Sequence, residues 1–253
     1  MKIAGSSAFV TGGGSGLGKA TARLLAKLGA AVHIFDRNGE AAEKVAAEIG
    51  GVALSGDVTS EEDAAKALDV AAKAGDGLRI LVNCAGIGTA GRILSREGPM
   101  PLSDFEKTIR INLIGTFNMM RLAAERMAQA PERDDKARGV IVNTASVAAF
   151  EGQIGQAAYS ASKGGIVSLG LPAAREFSRF GIRVNTIAPG LFLTPLLKGL
   201  PQEAQDSLAV AIPYPARLGD PAEFADAVRF LIENQYVNGE VIRLDGALRM
   251  QPR

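Results

Sequence analysis

The chain has 253 residues, 47% of them hydrophobic and 22% charged, with a formal net charge of +1. That is enough for one large α/β domain with a sizeable core, and the near-neutral balance offers no electrostatic footprint for nucleic acid or an anionic membrane. The single cysteine excludes an internal disulfide and the single histidine excludes a His-rich zinc site, so no metal is expected.

No apolar run approaches the ~18 residues that span a bilayer. Met1-Lys2-Ile3-Ala4-Gly5 shows neither an apolar leader core nor an Arg-rich amphipathic one, and the expected location is cytoplasmic. Ala8-Phe9-Val10 reads as a short strand. It runs into Thr11-Gly12-Gly13-Gly14-Ser15-Gly16-Leu17-Gly18, after which Leu17, Thr21, Leu24, Leu25 and Leu28 recur at helical spacing up to Gly29. A strand, a glycine turn and a helix are what a pyrophosphate-binding turn requires: the backbone comes close, and the helix N-terminus offers free N–H groups. Gly12, Gly16 and Gly18 are spaced Gly-x-x-x-Gly-x-Gly, unlike the general Gly-x-Gly-x-x-Gly fingerprint. Ala31-Val32-His33-Ile34-Phe35 is the second strand. Asp36 at its end is placed to accept from a ribose 2′-OH and to repel a 2′-phosphate, which favours NAD, although Arg37 is adjacent. His33 is read as a packing residue.

The span 40–49 is an alanine-rich helix closed by Gly50-Gly51, and Val52-Ala53-Leu54 is a third strand. Asp57, before Val58, either meets an adenine edge or bonds its own turn. Ser60 caps the next helix, with Asp63 in its first turn. Ile80-Leu81-Val82 is the fourth strand, and the small residues of Asn83-Cys84-Ala85-Gly86 let a cofactor lie on its end. Cys84 is expected to be a buried small residue rather than a reactive thiol. The span 88–101 reads as an irregular loop in which Arg92 and Arg96 face solvent or an anionic substrate tail. A long helix is expected from Ser103 through Leu113, Phe117 and Met120, with Asn112 at a packed position that suggests a local kink. The span 131–138 is expected to be an exposed link.

Val140-Ile141-Val142-Asn143-Thr144-Ala145 is the fifth strand and delivers Ser146 at its end. Tyr159 and Lys163 are four residues apart, one turn on one helical face. A hydroxyl from a strand end and a phenol with an ammonium below it make an acid–base group suited to an alcohol or a carbonyl. Their helix continues through Ile166 and Phe177 to Gly181, with Pro172 expected to bend it. Arg183-Val184-Asn185-Thr186-Ile187-Ala188 is the sixth strand, broken by Pro189-Gly190. Thr194 either holds a carboxamide or caps a helix. The span 191–217 reads as a substrate lid, Pro221 starts a last helix, and Val241-Ile242-Arg243-Leu244 is the seventh strand. The alternation predicts a single-domain, Rossmann-type, doubly wound sheet of about seven parallel strands flanked by helices.

Thr11-Gly12-x-x-x-Gly16-x-Gly18, Asn83-x-Ala85-Gly86, Asn112, Ser146, Tyr159-x-x-x-Lys163 and Pro189-Gly190, in that order, resemble the short-chain dehydrogenase/reductase family along nearly the whole chain. Within it, the segments 144–153, 217–223 and 238–247 resemble the branch that oxidises 3-hydroxyacyl-CoA thioesters and hydroxysteroids. The 88–101 and 130–138 segments do not match that branch closely. The resemblance implies NAD contacts at Ser15, Leu17, Asp36, Asp57, Val58, Cys84, Ala85, Gly86, Tyr159, Lys163, Pro189, Phe192 and Thr194. It implies Ser146 and Gln153 facing the substrate, and a homotetramer. On this reading Tyr159 is the proton acceptor, its pKa lowered by Lys163 and the oxidised nicotinamide. Ser146 holds the substrate oxygen, Lys163 also binds the ribose, and Asn112 helps place Lys163. The alternatives are an NADPH-dependent 3-oxoacyl reductase of the same fold and a non-catalytic dinucleotide-binding scaffold. Asp36 opposes the first, and the intact Ser146, Tyr159 and Lys163 oppose the second.

Overall fold

A computed structural model of the protein describes residues 1–199 and 201–252. In chain order the strands are β1 (Ser7–Thr11), β2 (Ala31–Asp36), β3 (Val52–Ser55), β4 (Leu78–Asn83), β5 (Leu94–Ser95), β6 (Gly98–Pro99), β7 (Gly139–Thr144), β8 (Ile182–Pro189) and β9 (Val241–Leu244). Seven of them form one parallel sheet in the order β3-β2-β1-β4-β7-β8-β9. β5 and β6 pair antiparallel as a separate hairpin inside the span read from sequence as irregular.

The helices are α1 (Gly16–Lys27), α2 (Gly39–Ile49), α3 (Glu61–Ala72), α4 (Leu102–Ile109), α5 (Gly115–Gln129), α6 (Ala157–Phe177), α7 (Pro195–Lys198), α8 (Gln202–Val210) and α9 (Pro221–Glu233). Successive strand residues point to opposite faces, so one strand feeds two cores. Val10 joins Ile34, Leu25 of α1 and Phe224 and Val228 of α9, whereas Phe9 joins Leu68 of α3 and Met119 and Met120 of α5. Each such side chain, fully removed from water, stabilises the sheet by about 1.5–3 kcal/mol. Ser60 caps α3 by accepting from the Asp63 N–H, as its position in the sequence predicts.

The long helix expected after Ser103 is divided at the position of the expected kink: α4 and α5 are joined by a π-helical turn, Arg110–Ile114, centred on Asn112. α6 includes Pro172 and runs as one helix to Phe177. The 131–138 link is largely exposed, as expected, and the fully buried Arg79 guanidinium anchors it by donating to the Pro131 and Arg138 carbonyls. The 191–217 span carries α7 and α8, and Leu200 within it lies outside the described residues.

Candidate active site

β1 and β4 are neighbours, but the chain goes from β1 outward to β2 and from β4 outward to β7. The connections diverge there and open a crevice at the carboxyl ends of the strands. A cavity of about 820 Å³ occupies it. Gly12, Ser15, Gly16, Leu17 and Gly18 line one part, with Asp36, Asp57 and Val58 beside them. Cys84, Ala85 and Gly86 line the middle, and Ser146, Tyr159, Lys163, Pro189, Phe192 and Thr194 the other part.

The turn after β1 has the shape of a cradle. Gly12 has φ +63°, and a Cβ there would sit 2.8 Å from the Ala85 nitrogen, so the ends of β1 and β4 touch only because that atom is missing. A Cβ on Gly18 would collide with the Gly12 carbonyl. The Thr11 hydroxyl stitches the two strand ends together: it accepts from the Cys84 and Ala85 N–H groups at 3.2 and 3.1 Å. Ser15, at the start of α1, makes no side-chain capping bond, which leaves the first N–H groups of that helix open to an anion at the cavity wall. Asp36 is held at both oxygens, accepting from the Gly14 and Asn38 N–H groups at 2.9 Å each. These residues fit a dinucleotide: a backbone cradle for a pyrophosphate, with a fixed carboxylate a short distance away at the end of β2. Asp57 uses one oxygen on its own turn, accepting from the Thr59 N–H, and still lines the cavity.

Ser146 leaves β7, and its hydroxyl accepts from the Ala148 N–H to start the short 3-10 turn Val147–Ala149. It also lies within reach of the Tyr159 phenol, whose pKa it acts to lower. Lys163 is one turn below on α6, its Nζ 5.8 Å from the Tyr159 ring centre and donating to the Thr144 carbonyl at 2.8 Å. Strand end and helix face thus converge as their spacing predicts. Burial pushes the Lys163 ammonium down to about 8. The expected lowering of the Tyr159 pKa is reversed in the protein alone. Burial is the largest influence and raises it, and Ser146 only partly opposes this. Burial likewise pushes the Cys84 thiol up to about 11, consistent with an unreactive residue.

Asn112 stands behind the wall. Its amide accepts from the Ile87 N–H at 2.8 Å and donates to the Ile87 carbonyl and the Ser162 hydroxyl, both at 3.0 Å. It therefore ties the segment after β4 to the helix that carries Lys163, without touching the ammonium itself. Gln153, expected to face substrate, is not among the lining residues, and its amide donates to the Gln251 carbonyl at 2.9 Å. Gln156 and Met250 line the cavity instead, and neither carried a sequence signal. His33 packs in the sheet against Ser7 and the Ala8 carbonyl, where burial lowers its pKa. Arg92 and Arg96 are exposed. Among the described residues no group of three metal-ligating side chains comes together, and no helix is long and apolar enough to cross a membrane.

A dinucleotide cradle opposite a serine, tyrosine and lysine group defines an oxidoreductase of the short-chain type. The chain belongs to the short chain dehydrogenase family, which matches over residues 6–205, and the family implies a nicotinamide dinucleotide cofactor. It is similar to a Bos taurus protein named 3-hydroxyacyl-CoA dehydrogenase type-2, with 52% identity over 99% of this chain and 97% of that one. A Drosophila melanogaster protein of the same name is 51% identical, covering 99% of this chain and 100% of its own. A crystal structure described as 3-hydroxyacyl-CoA dehydrogenase type-2 from Mycobacterium avium superposes with a TM-score of 0.95 at 47% identity, covering 98% of each chain.

Proposed function

We propose that the protein is an NAD-dependent dehydrogenase that oxidises 3-hydroxyacyl-CoA thioesters to 3-oxoacyl-CoA, with hydroxysteroids as further candidate substrates. The observation that carries this is the single cavity in which Asp36 lies at one end and Ser146 and Tyr159 at the other. The names of the similar proteins support the acyl-CoA substrate.

When bound, the nicotinamide dinucleotide supplies the hydride acceptor. Gly12 to Gly18 would hold its phosphates, Asp36 its adenosine ribose, and Cys84 to Gly86, Pro189, Phe192 and Thr194 its nicotinamide half. Tyr159 takes the hydroxyl proton of the substrate, and Ser146 donates to the oxygen as it becomes a carbonyl. With a pKa of about 8, Lys163 is mostly cationic at neutral pH. Its positive charge, 5.8 Å from the centre of the phenol ring, favours the phenolate. That opposes the burial cost of the phenolate. Asn112 keeps the helix carrying Lys163 in register with the segment after β4.

The apolar residues Ala90, Ala148, Leu191, Leu197 and Met250 of the lining suit an acyl chain. Leu191, Thr194, Pro195 and Leu197 come from the 191–217 span, which supports its role as a lid. Phe117 on α5 and Leu171 on α6 leave large apolar side chains exposed, which supports the homotetramer. The cytoplasm is the proposed compartment. A panel of acyl-CoA thioesters, steroids and simple secondary alcohols tests the function with NAD. The expected result is the highest kcat/KM on 3-hydroxyacyl-CoA, and better turnover of a simple alcohol would overturn the assignment.

A further inference from the structure

The mechanism leaves one cluster of paired charges, partly exposed, unused. β9 ends at Leu244, and the chain then turns back toward the cavity, where Met250 becomes part of the lining. It is held there by the segment between Ser146 and Tyr159. Glu151 accepts from the Met250 N–H at 3.0 Å and pairs with Arg243 at 2.8 Å and Arg249 at 3.3 Å. Arg243 also pairs with Asp245 at 2.8 Å, and Asp245 is 8% exposed. Two more bonds follow: the Gln153 amide donates to the Gln251 carbonyl at 2.9 Å, and the Ile154 N–H donates to the Pro252 carbonyl at 3.0 Å. On its other side, the same segment accepts at the Gly155 carbonyl from the Gly91 N–H at 2.8 Å.

We propose that residues 249–252 form a fixed wall on the substrate side of the cavity, in which Met250 limits the room for the carbon chain beyond the reacting carbon and Glu151 is the positioning residue that latches it. The latch bonds run from residues 151–154, in the segment that begins at Ser146 and ends beside Tyr159, to residues 250–252, so the wall is referenced to the reacting groups. The Met250 side chain is long, flexible and apolar, and the residue lines the same cavity as Ala148 and Leu191. Shortening it opens the apolar end without touching Ser146, Tyr159 or Lys163. This rests on the acyl-CoA reading above.

The test is the ratio of kcat/KM for 3-hydroxydecanoyl-CoA to that for 3-hydroxybutyryl-CoA. Met250→Ala raises the ratio by about tenfold, the size of effect expected for one or two methylenes in an apolar pocket. Met250→Leu, close in volume, leaves it within about twofold. Glu151→Ala moves the ratio in the same direction as Met250→Ala, and the double variant moves it no further. Tryptic cleavage after Arg249, followed by mass spectrometry, also becomes faster in Glu151→Ala, because cleavage follows the population of the released segment. An unchanged ratio in Met250→Ala, in an enzyme that still turns over both thioesters, overturns the wall. Unchanged cleavage in Glu151→Ala overturns the latch. If the unaltered enzyme turns over neither thioester, the acyl-CoA reading falls, and the same ratio is read from a series of secondary alcohols while the cleavage test stands by itself.

Discussion

Replacing Asp36 by asparagine changes one charge and almost no volume, at a side chain both of whose oxygens are fixed by the Gly14 and Asn38 N–H groups at 2.9 Å. A ribose hydroxyl donating to that carboxylate gains about 1.5–3 kcal/mol, as hydrogen bonds to charged groups do. A 2′-phosphate brought to about 4 Å meets a repulsion of about 1 kcal/mol at the dielectric of water and about 4 kcal/mol at an effective value of 20, for each unit of its charge. Together these favour NADH over NADPH by about 2.5–7 kcal/mol for one unit of phosphate charge, or about two to five orders of magnitude in Kd. In Asp36→Asn the hydrogen bond to the ribose is neutral and the repulsion is gone, while Arg37 still lines the cavity. The NADH Kd should rise about tenfold and the NADPH Kd should fall, so their ratio collapses by at least about a hundredfold. Fluorescence titration of both reduced cofactors reads this without any turnover. Equal affinities in the unaltered protein, or a ratio that the substitution does not move, would refute the reasoning.

Gly12→Ala should abolish dinucleotide binding and destabilise the fold, since the new methyl would stand 2.8 Å from the Ala85 nitrogen on a backbone with φ +63°; cofactor titration and urea unfolding check both. Asn112→Ala leaves the Ile87 N–H, the Ile87 carbonyl and the Ser162 hydroxyl without the partner they have now. It should cost about 2–4 kcal/mol in urea unfolding. Lys163 has a folded pKa of about 8, below the ordinary value of about 10.4. The folded protein therefore holds fewer protons than the unfolded chain between about pH 8 and 10.5, and this group adds stability as pH rises through that window. The urea midpoint of Lys163→Met should lack that rise relative to the unaltered protein.

The seven sheet strands were legible because each is a short apolar run ending at a glycine, a proline or a small polar residue. The site was legible where it depends on spacing: the glycines after β1, Asp36 at the end of β2, and Tyr159 and Lys163 one turn apart. What sequence did not show depends on partners distant in the chain. The β5–β6 hairpin has too few residues to alternate. The π-helical turn was hinted at only by the unfavourable Asn112, because the amide's partners, Ile87 and Ser162, lie 25 and 50 residues away. The surroundings of Gln153 and Met250 are set by the latch between residues 151–154 and 250–252, whose partners lie 98 and 99 residues apart in the chain. Spacing shows the lysine beside Tyr159 but not the burial that raises its pKa in the protein alone.

The most direct measurement is single-turnover oxidation of a 3-hydroxyacyl-CoA with NAD by Tyr159→Phe. The ring and its packing remain and only the phenol proton carrier is lost, so the rate should fall by about 10²–10⁴ while the NADH Kd stays within about threefold. A variant that oxidises the thioester within tenfold of the unaltered rate would show that the proton leaves by another group.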